Sequence, residues 1–163
     1  MVEKPFVGII MGSDSDLPIM QKAVDVCKEF GITYEVKILS AHRTPDQHIE
    51  YCRAAADRGV KVIIAAAGMA AHLPGVTAAN TILPVIGVPM QSKALAGMDA
   101  LLSMVQMPSG VPVATVAIDG AKNAALLAMQ IIATGDEKLR KKLLDYKVKM
   151  AEESMKKNEN INL

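Results

Sequence analysis

Apolar and polar positions along the chain switch repeatedly between a strand period and a helix period. Phe6 to Met11 is an apolar run closed by Gly12, the pattern of a strand covered on both faces. A helical stripe follows, carried by Met20, Ala23, Val24, Cys27 and Phe30. Asp14, Ser15 and Asp16 offer it capping oxygens, Pro18 suits its first turn, and Gly31 ends it. Thr33 to Leu39 alternates, with Tyr34, Val36 and Ile38 set against Thr33, Glu35 and Lys37, which predicts a half-exposed edge strand. Thr44-Pro45-Asp46-Gln47 reads as a capping box with proline at the first helical position. The helix it opens runs to about Arg58 and stops at Gly59.

Val62 to Ala67 is wholly apolar and hence central. Residues 68–75 read as a loop closed by a Pro-Gly turn. A short helix comes next, then a strand from about Pro84 to Val88, a helix from about Ser92 to Val105 and a fifth strand over Val113 to Ile118. Helices over about Ala121 to Ala133 and Asp136 to Met155 complete the pattern, the second with Leu139, Leu143, Tyr146 and Met150 on one stripe. Strands alternating with helices predict an α/β fold, a three-layer α/β/α sandwich on a five-stranded parallel sheet. An alternating second strand beside a buried first one fits the flavodoxin-like order 2-1-3-4-5. That order opens a crevice at the strands' carboxyl ends, between the loops after strands one and three. With no linker or internal repeat, residues 1–157 are expected to form one catalytic domain and 158–163 a frayed tail.

Composition narrows the function classes. Of 163 residues, 51% are apolar but only 3% aromatic, so close packing of small side chains is expected. A net charge of +1, with neither tail nor block of one sign, leaves no electrostatic footprint for nucleic acid. Cys27 and Cys52 lack C-x-x-C spacing and are expected as buried thiols in a reducing compartment. Neither a signal peptide nor an apolar stretch of the ~20 residues a membrane span needs is visible, so a cytoplasmic protein is expected. Asn123 to Ala133 is apolar nearly all round, from which a homo-oligomer is inferred.

Three segments at the strands' carboxyl ends carry the candidate chemistry. Gly12-Ser13-Asp14-Ser15-Asp16 is either a helix cap alone or an anion and hydroxyl site. Ser40 and Arg43 after the edge strand make a phosphate clamp, and His42 between them is the side chain suited to move protons near neutral pH. The loop over 68–75 suits close approach to a flat ligand, with His72 either a ligand contact or a brace for the loop. His48 is expected on the surface of its helix. Dispersed histidines and cysteines give no metal spacing, and the Gly12 segment matches neither a dinucleotide fingerprint nor a P-loop.

GSDSD at 12–16, SAHRTP at 40–45, AAHLPG at 70–75, PVIGVP at 84–89, MPSGVPVAT at 107–115 and NAALLA at 123–128 occur in that order. Together these segments closely resemble the N5-carboxyaminoimidazole ribonucleotide mutase family, the catalytic-subunit type of phosphoribosylaminoimidazole carboxylase, over residues 6–146. The resemblance implies a flavodoxin-like fold, a homo-octamer with the C-terminal helix in its contacts, and no metal or cofactor. It also implies conversion of N5-carboxyaminoimidazole ribonucleotide to 4-carboxy-5-aminoimidazole ribonucleotide in purine biosynthesis. Carried over by motif, Ser15, Ser40 and Arg43 would hold the 5′-phosphate, with Ser13 in the same binding loop and Asp16 on the ribose hydroxyls. His42 would be the general acid/base, and Ala70, His72 and Leu73 would lie around the base and carboxylate. A related animal-type branch, which carboxylates aminoimidazole ribonucleotide directly with CO2, typically has lysine at the place of Arg43. Met69 departs from the family, many of whose members have glycine there. A non-catalytic flavodoxin-like binder is the remaining alternative, though the few aromatics lie outside the crevice loops.

Overall fold

The computed structural model describes residues 6–161. Five parallel strands, β1 (Val7–Met11), β2 (Tyr34–Ile38), β3 (Val62–Gly68), β4 (Val85–Met90) and β5 (Ala114–Thr115), form one sheet in the order β2-β1-β3-β4-β5. The helices are α1 (Leu17–Phe30), α2 (Pro45–Arg58), α3 (Leu73–Ala79), α4 (Met98–Val105), α5 (Ala121–Ala133) and α6 (Glu137–Lys156). This is the flavodoxin-like three-layer sandwich expected from the pattern.

Alternation of side chains across the sheet divides the core in two. Val7, Ile9, Met11, Ile64 and Val88 face α1, α5 and Leu139 of α6. Ile10, Ile63, Ala65 and Val85 face Tyr51, Cys52 and Ala55 of α2 together with Leu73 and Met104. β1, β3 and β4 are buried almost throughout, which is why they read as unbroken apolar runs. Gly8 of β1 passes under α2, where a Cβ would overlap the Tyr51 hydroxyl. β2 is the half-exposed edge, tied to α2 by an Arg58–Glu35 ion pair of 2.8 Å. Cys27 and Cys52 are free, buried thiols, both pushed up to about 11 by burial.

Several expectations need correction. β5 is two residues long, not six, although Val116 N–H still donates to Gly87 O at 3.1 Å. It lies at the sheet edge, and Pro112 before it has no N–H for the ladder. α4 begins at Met98 because Ala96 (φ 52°) and Gly97 (φ 89°) are both left-handed, which no α-helix accommodates. The Pro-Gly pair at 74–75 is not a turn but the first turn of α3. Thr44 caps nothing with its side chain. Instead its Oγ1 accepts from Ser40 N–H (2.9 Å) and donates to Ser40 O (3.2 Å), closing the loop before α2. Asn158 and Glu159 lie in a 3-10 turn over Lys157–Asn160, whereas 162–163 of the expected tail fall outside the described residues.

The largest correction concerns His48, which is completely buried rather than on the surface. It heads the inward stripe His48, Tyr51, Cys52, Ala55, so its place is the one that helical period assigns. The apolar surround of α5 is met inside the chain, by α1 on one side and by α6 on another.

Candidate functional site

Three loops meet where the parallel strands end. Leu39 N–H donates to Met11 O at 2.9 Å, holding the exit of β2 against the exit of β1. After β1, Ser13 is extended and its Oγ accepts from Ser15 N–H at 3.3 Å, so the chain turns through Asp14–Asp16 into α1. After β2, Ser40 Oγ accepts from the backbone N–H groups of His42 (3.3 Å) and Arg43 (3.1 Å) and from Arg43 Nε (3.4 Å). Those contacts use the oxygen's lone pairs and leave its hydrogen for an oxygen outside. Arg43 Nη2 donates to Gly12 O at 2.5 Å, so the guanidinium is pinned across both loops.

The third loop brings His72 to His42. β3 ends at Gly68, Met69 turns left-handed (φ 55°), and His72 N–H donates to Ala70 O at 2.8 Å. Ala71 and Leu73 anchor in the second core, which leaves Ala70 and His72 exposed. His42 Nε2 and His72 Nδ1 are 2.7 Å apart, with the rings edge to face at 87°. At that distance one nitrogen carries a hydrogen and the other a lone pair, so the two imidazoles share a proton. Both rings stand exposed at the crevice rim, where a ligand can reach the shared position.

Residues 6–153 match the family described as AIR carboxylase. The chain belongs to the AIR carboxylase family. Over 161 residues it is 60% identical to N5-carboxyaminoimidazole ribonucleotide mutase of Pyrococcus horikoshii, covering 96% of this chain and 91% of the relative. The Bacillus subtilis protein of the same name is 63% identical over 142 residues, 86% of this chain and 88% of that one. A crystal structure of Treponema denticola PurE superposes with a TM-score of 0.87 at 32% identity, covering 98% of this chain and 99% of that one.

In this AIR carboxylase family member five of the expected site residues line two hollows, while His42, Ala70, His72 and Leu73 line neither. Ser13, Ser40 and Arg43 share the first with Gly12, Asp14, Ile38 and Thr44, in a volume of about 390 Å³. Ser15 and Asp16 line the second, and so part from Ser40 and Arg43. Their companions there, Gln91, Ser92, Lys93 and Asp119, are residues that sequence reasoning missed. The available signal was the polar run Gln91-Ser92-Lys93 directly after the apolar β4, on the same rim of the sheet. Asp119 is left-handed (φ 56°) and its Oδ1 accepts from Gln91 N–H at 3.0 Å, fastening the loop after β5 to the end of β4. Burial raises the Asp16 carboxyl above its ordinary value and the Asp119 charge adds to this, while hydrogen bonds from Ser15 and Ser13 and the Arg43 charge oppose it. Among the described residues, no three His, Cys, Asp or Glu side chains are grouped to hold a metal ion, and no helix is long and apolar enough to cross a membrane. Met69 occupies a left-handed position, a backbone conformation that glycine adopts without strain.

Proposed function

We propose that this chain catalyses the conversion of N5-carboxyaminoimidazole ribonucleotide to 4-carboxy-5-aminoimidazole ribonucleotide, a step of purine biosynthesis. The observation that carries the reading is the His42–His72 pair, 2.7 Å apart, beside a serine–arginine anion hollow at the mouth of the crevice. Family membership and the names of the relatives support it.

Ser15, Ser40 and Arg43 take the 5′-phosphate, with Ser13 in the same binding loop. The guanidinium already braced on Gly12 O presents its remaining N–H groups outward. Asp16 takes the ribose hydroxyls as acceptor, with Ser15 beside it. Ala70, His72 and Leu73 frame the base, Leu73 by fixing the start of α3 rather than by exposing its side chain.

His42 then gives one proton and takes another. As imidazolium it protonates the exocyclic nitrogen of the carbamate, the N–C bond breaks, and CO2 is released beside the ring. C4 of the aminoimidazole attacks that CO2, and neutral His42 removes the C4 proton, which restores the ring and returns His42 to its starting state. Holding CO2 beside C4 replaces a bimolecular encounter with a local one, an effect worth several powers of ten. His72 Nδ1 holds the Nε2 proton of His42 until substrate arrives. The sequence of steps calls on acid–base chemistry alone.

The surface supports assembly into a homo-oligomer, and the family resemblance an octamer. Met98, Leu102 and Val105 make an exposed apolar stripe on α4, continued by Leu95, while Leu144, Val148 and Met155 stand out from α6. A cytoplasmic location accords with buried free thiols.

The test is product formation from two starting points. Freshly made N5-carboxyaminoimidazole ribonucleotide should turn over fast, and aminoimidazole ribonucleotide with bicarbonate slowly. Efficient turnover of the second would place the chain among direct carboxylases. His42→Asn should bind substrate and lose at least about a hundredfold in turnover; near-normal activity removes the proton-shuttle role.

A further inference from the structure

His48 of α2 lies buried against Thr77 of α3, with Nε2 and Oγ1 2.8 Å apart. Thr77 is equally buried, and its hydroxyl donates to Leu73 O at 2.7 Å. A hydroxyl has one hydrogen, so toward His48 the Thr77 oxygen can only accept. His48 must therefore donate from Nε2, as a neutral imidazole with its lone pair on Nδ1. That Nδ1 is buried and has no partner among the described residues.

The two ends of this relay sit beside the two reacting loops. His48 N–H donates to Thr44 O at 3.0 Å, and Thr44 closes the loop carrying His42 and Arg43. Leu73 is the first residue of α3 and directly follows His72. Among the described residues the His48–Thr77–Leu73 chain is the buried side-chain link from α2 to the start of α3, and an exposed Arg53–Asn80 hydrogen bond of 3.4 Å joins α2 to the far end of α3. An apolar pair of similar size would fill the same space without fixing the distance between α2 and α3.

We propose that His48 and Thr77 are positioning residues that set the separation of His42 and His72 for proton transfer. The proposal rests on the acid–base reading of that pair. A displacement of α3 by about 1 Å would take a 2.7 Å contact out of hydrogen-bonding range. Misplacements of that size cost up to about a hundredfold in turnover. Burial also holds the His48 imidazole below its ordinary range, so it stays the neutral donor that the relay requires.

The experiment compares His48→Leu and Thr77→Val with the conservative variants His48→Gln and Thr77→Ser in the full-length protein. Leu and Val keep the volume and remove the bond, whereas Gln keeps a donor near the Nε2 position and Ser keeps the hydroxyl. The expected result is a loss of about tenfold in turnover for Leu and Val. KM for the ribonucleotide should stay within about twofold, because the phosphate hollow is untouched, and the double variant should be no worse than either single one. Gln and Ser should restore most of the rate. Unchanged turnover in folded Leu and Val variants, or losses that simply add, overturns the proposal. So does a wild-type His48 imidazole that nitrogen NMR shows to carry its hydrogen on Nδ1. That spectrum, and the shift expected at the His42 and His72 ring nitrogens in Thr77→Val, need no turnover. An inactive wild-type protein would thus refute the reaction reading while the spectra still decide the relay.

Discussion

Removing the Arg43 side chain separates binding from folding at this site. Of the five N–H groups of a guanidinium, one donates to Gly12 O and one to Ser40 Oγ. The others are free for a phosphate. A hydrogen bond to a charged group contributes about 1.5–3 kcal/mol, so losing a two-pronged contact at a half-open site should cost about 3 kcal/mol, or roughly a hundredfold in Kd. Arg43 is exposed, and Arg43→Ala should therefore unfold within about 0.5 kcal/mol of the parent. The assay is calorimetric titration with the ribonucleotide product and with its dephosphorylated nucleoside, at low and high salt. The nucleotide should lose about a hundredfold and most of its salt dependence, the nucleoside no more than about threefold. Arg43→Lys should recover part of the loss, since it restores the charge but not the fork. Equal losses for nucleotide and nucleoside would refute the assignment, because the arginine would then be supporting the loop rather than the phosphate.

Both thiols, pushed up to about 11 from 9.0, should react with a disulfide reagent at pH 8 about a hundredfold more slowly than a free cysteine, and at the ordinary rate once urea unfolds the chain. A fast-reacting thiol in native protein would contradict their burial. Met69→Gly should raise the unfolding free energy by about 0.5–1 kcal/mol, because it removes a side chain from a left-handed residue; a lower midpoint in a denaturant titration would count against that backbone geometry. Gly8→Ala should destabilise by about 1–3 kcal/mol through collision with the Tyr51 hydroxyl, and Tyr51→Phe should recover part of the loss in the double variant. Additive losses in that denaturation series would show that the two residues do not meet.

The fold was legible wherever burial is two-sided. β1, β3 and β4 are buried almost throughout, and an unbroken apolar run can hardly mean anything else in a chain with this turn spacing. β5 was misjudged because an apolar run at the sheet edge needs ladder partners to become a strand, and only Ile86 and Gly87 pair with it. The start of α4 was hidden for another reason. Gln91 to Gly97 contains good helix formers, and only the backbone dihedrals reveal that Ala96 and Gly97 turn the wrong way. His48 was misplaced because residue type was weighed above position. Its partner Thr77 lies 29 residues on, and no local pattern announces a tertiary hydrogen bond.

The same division explains which parts of the candidate site could be read. Ser40, His42 and Arg43 lie within four residues of each other and close their own loop, so short-range chemistry was enough to single them out. The second hollow could not be found that way, since Asp16 meets Asp119 only because β1 and the β4–β5 edge end on one rim. A carboxylate half-sequestered there is held above its ordinary value chiefly by burial, a cost that folding alone does not repay. A ligand offering hydroxyl hydrogens to that oxygen would offset the cost when it binds. That accords with the proposed ribose contact, and Arg43, which carries the proposed phosphate contact, is near enough for its charge to act on the same carboxyl.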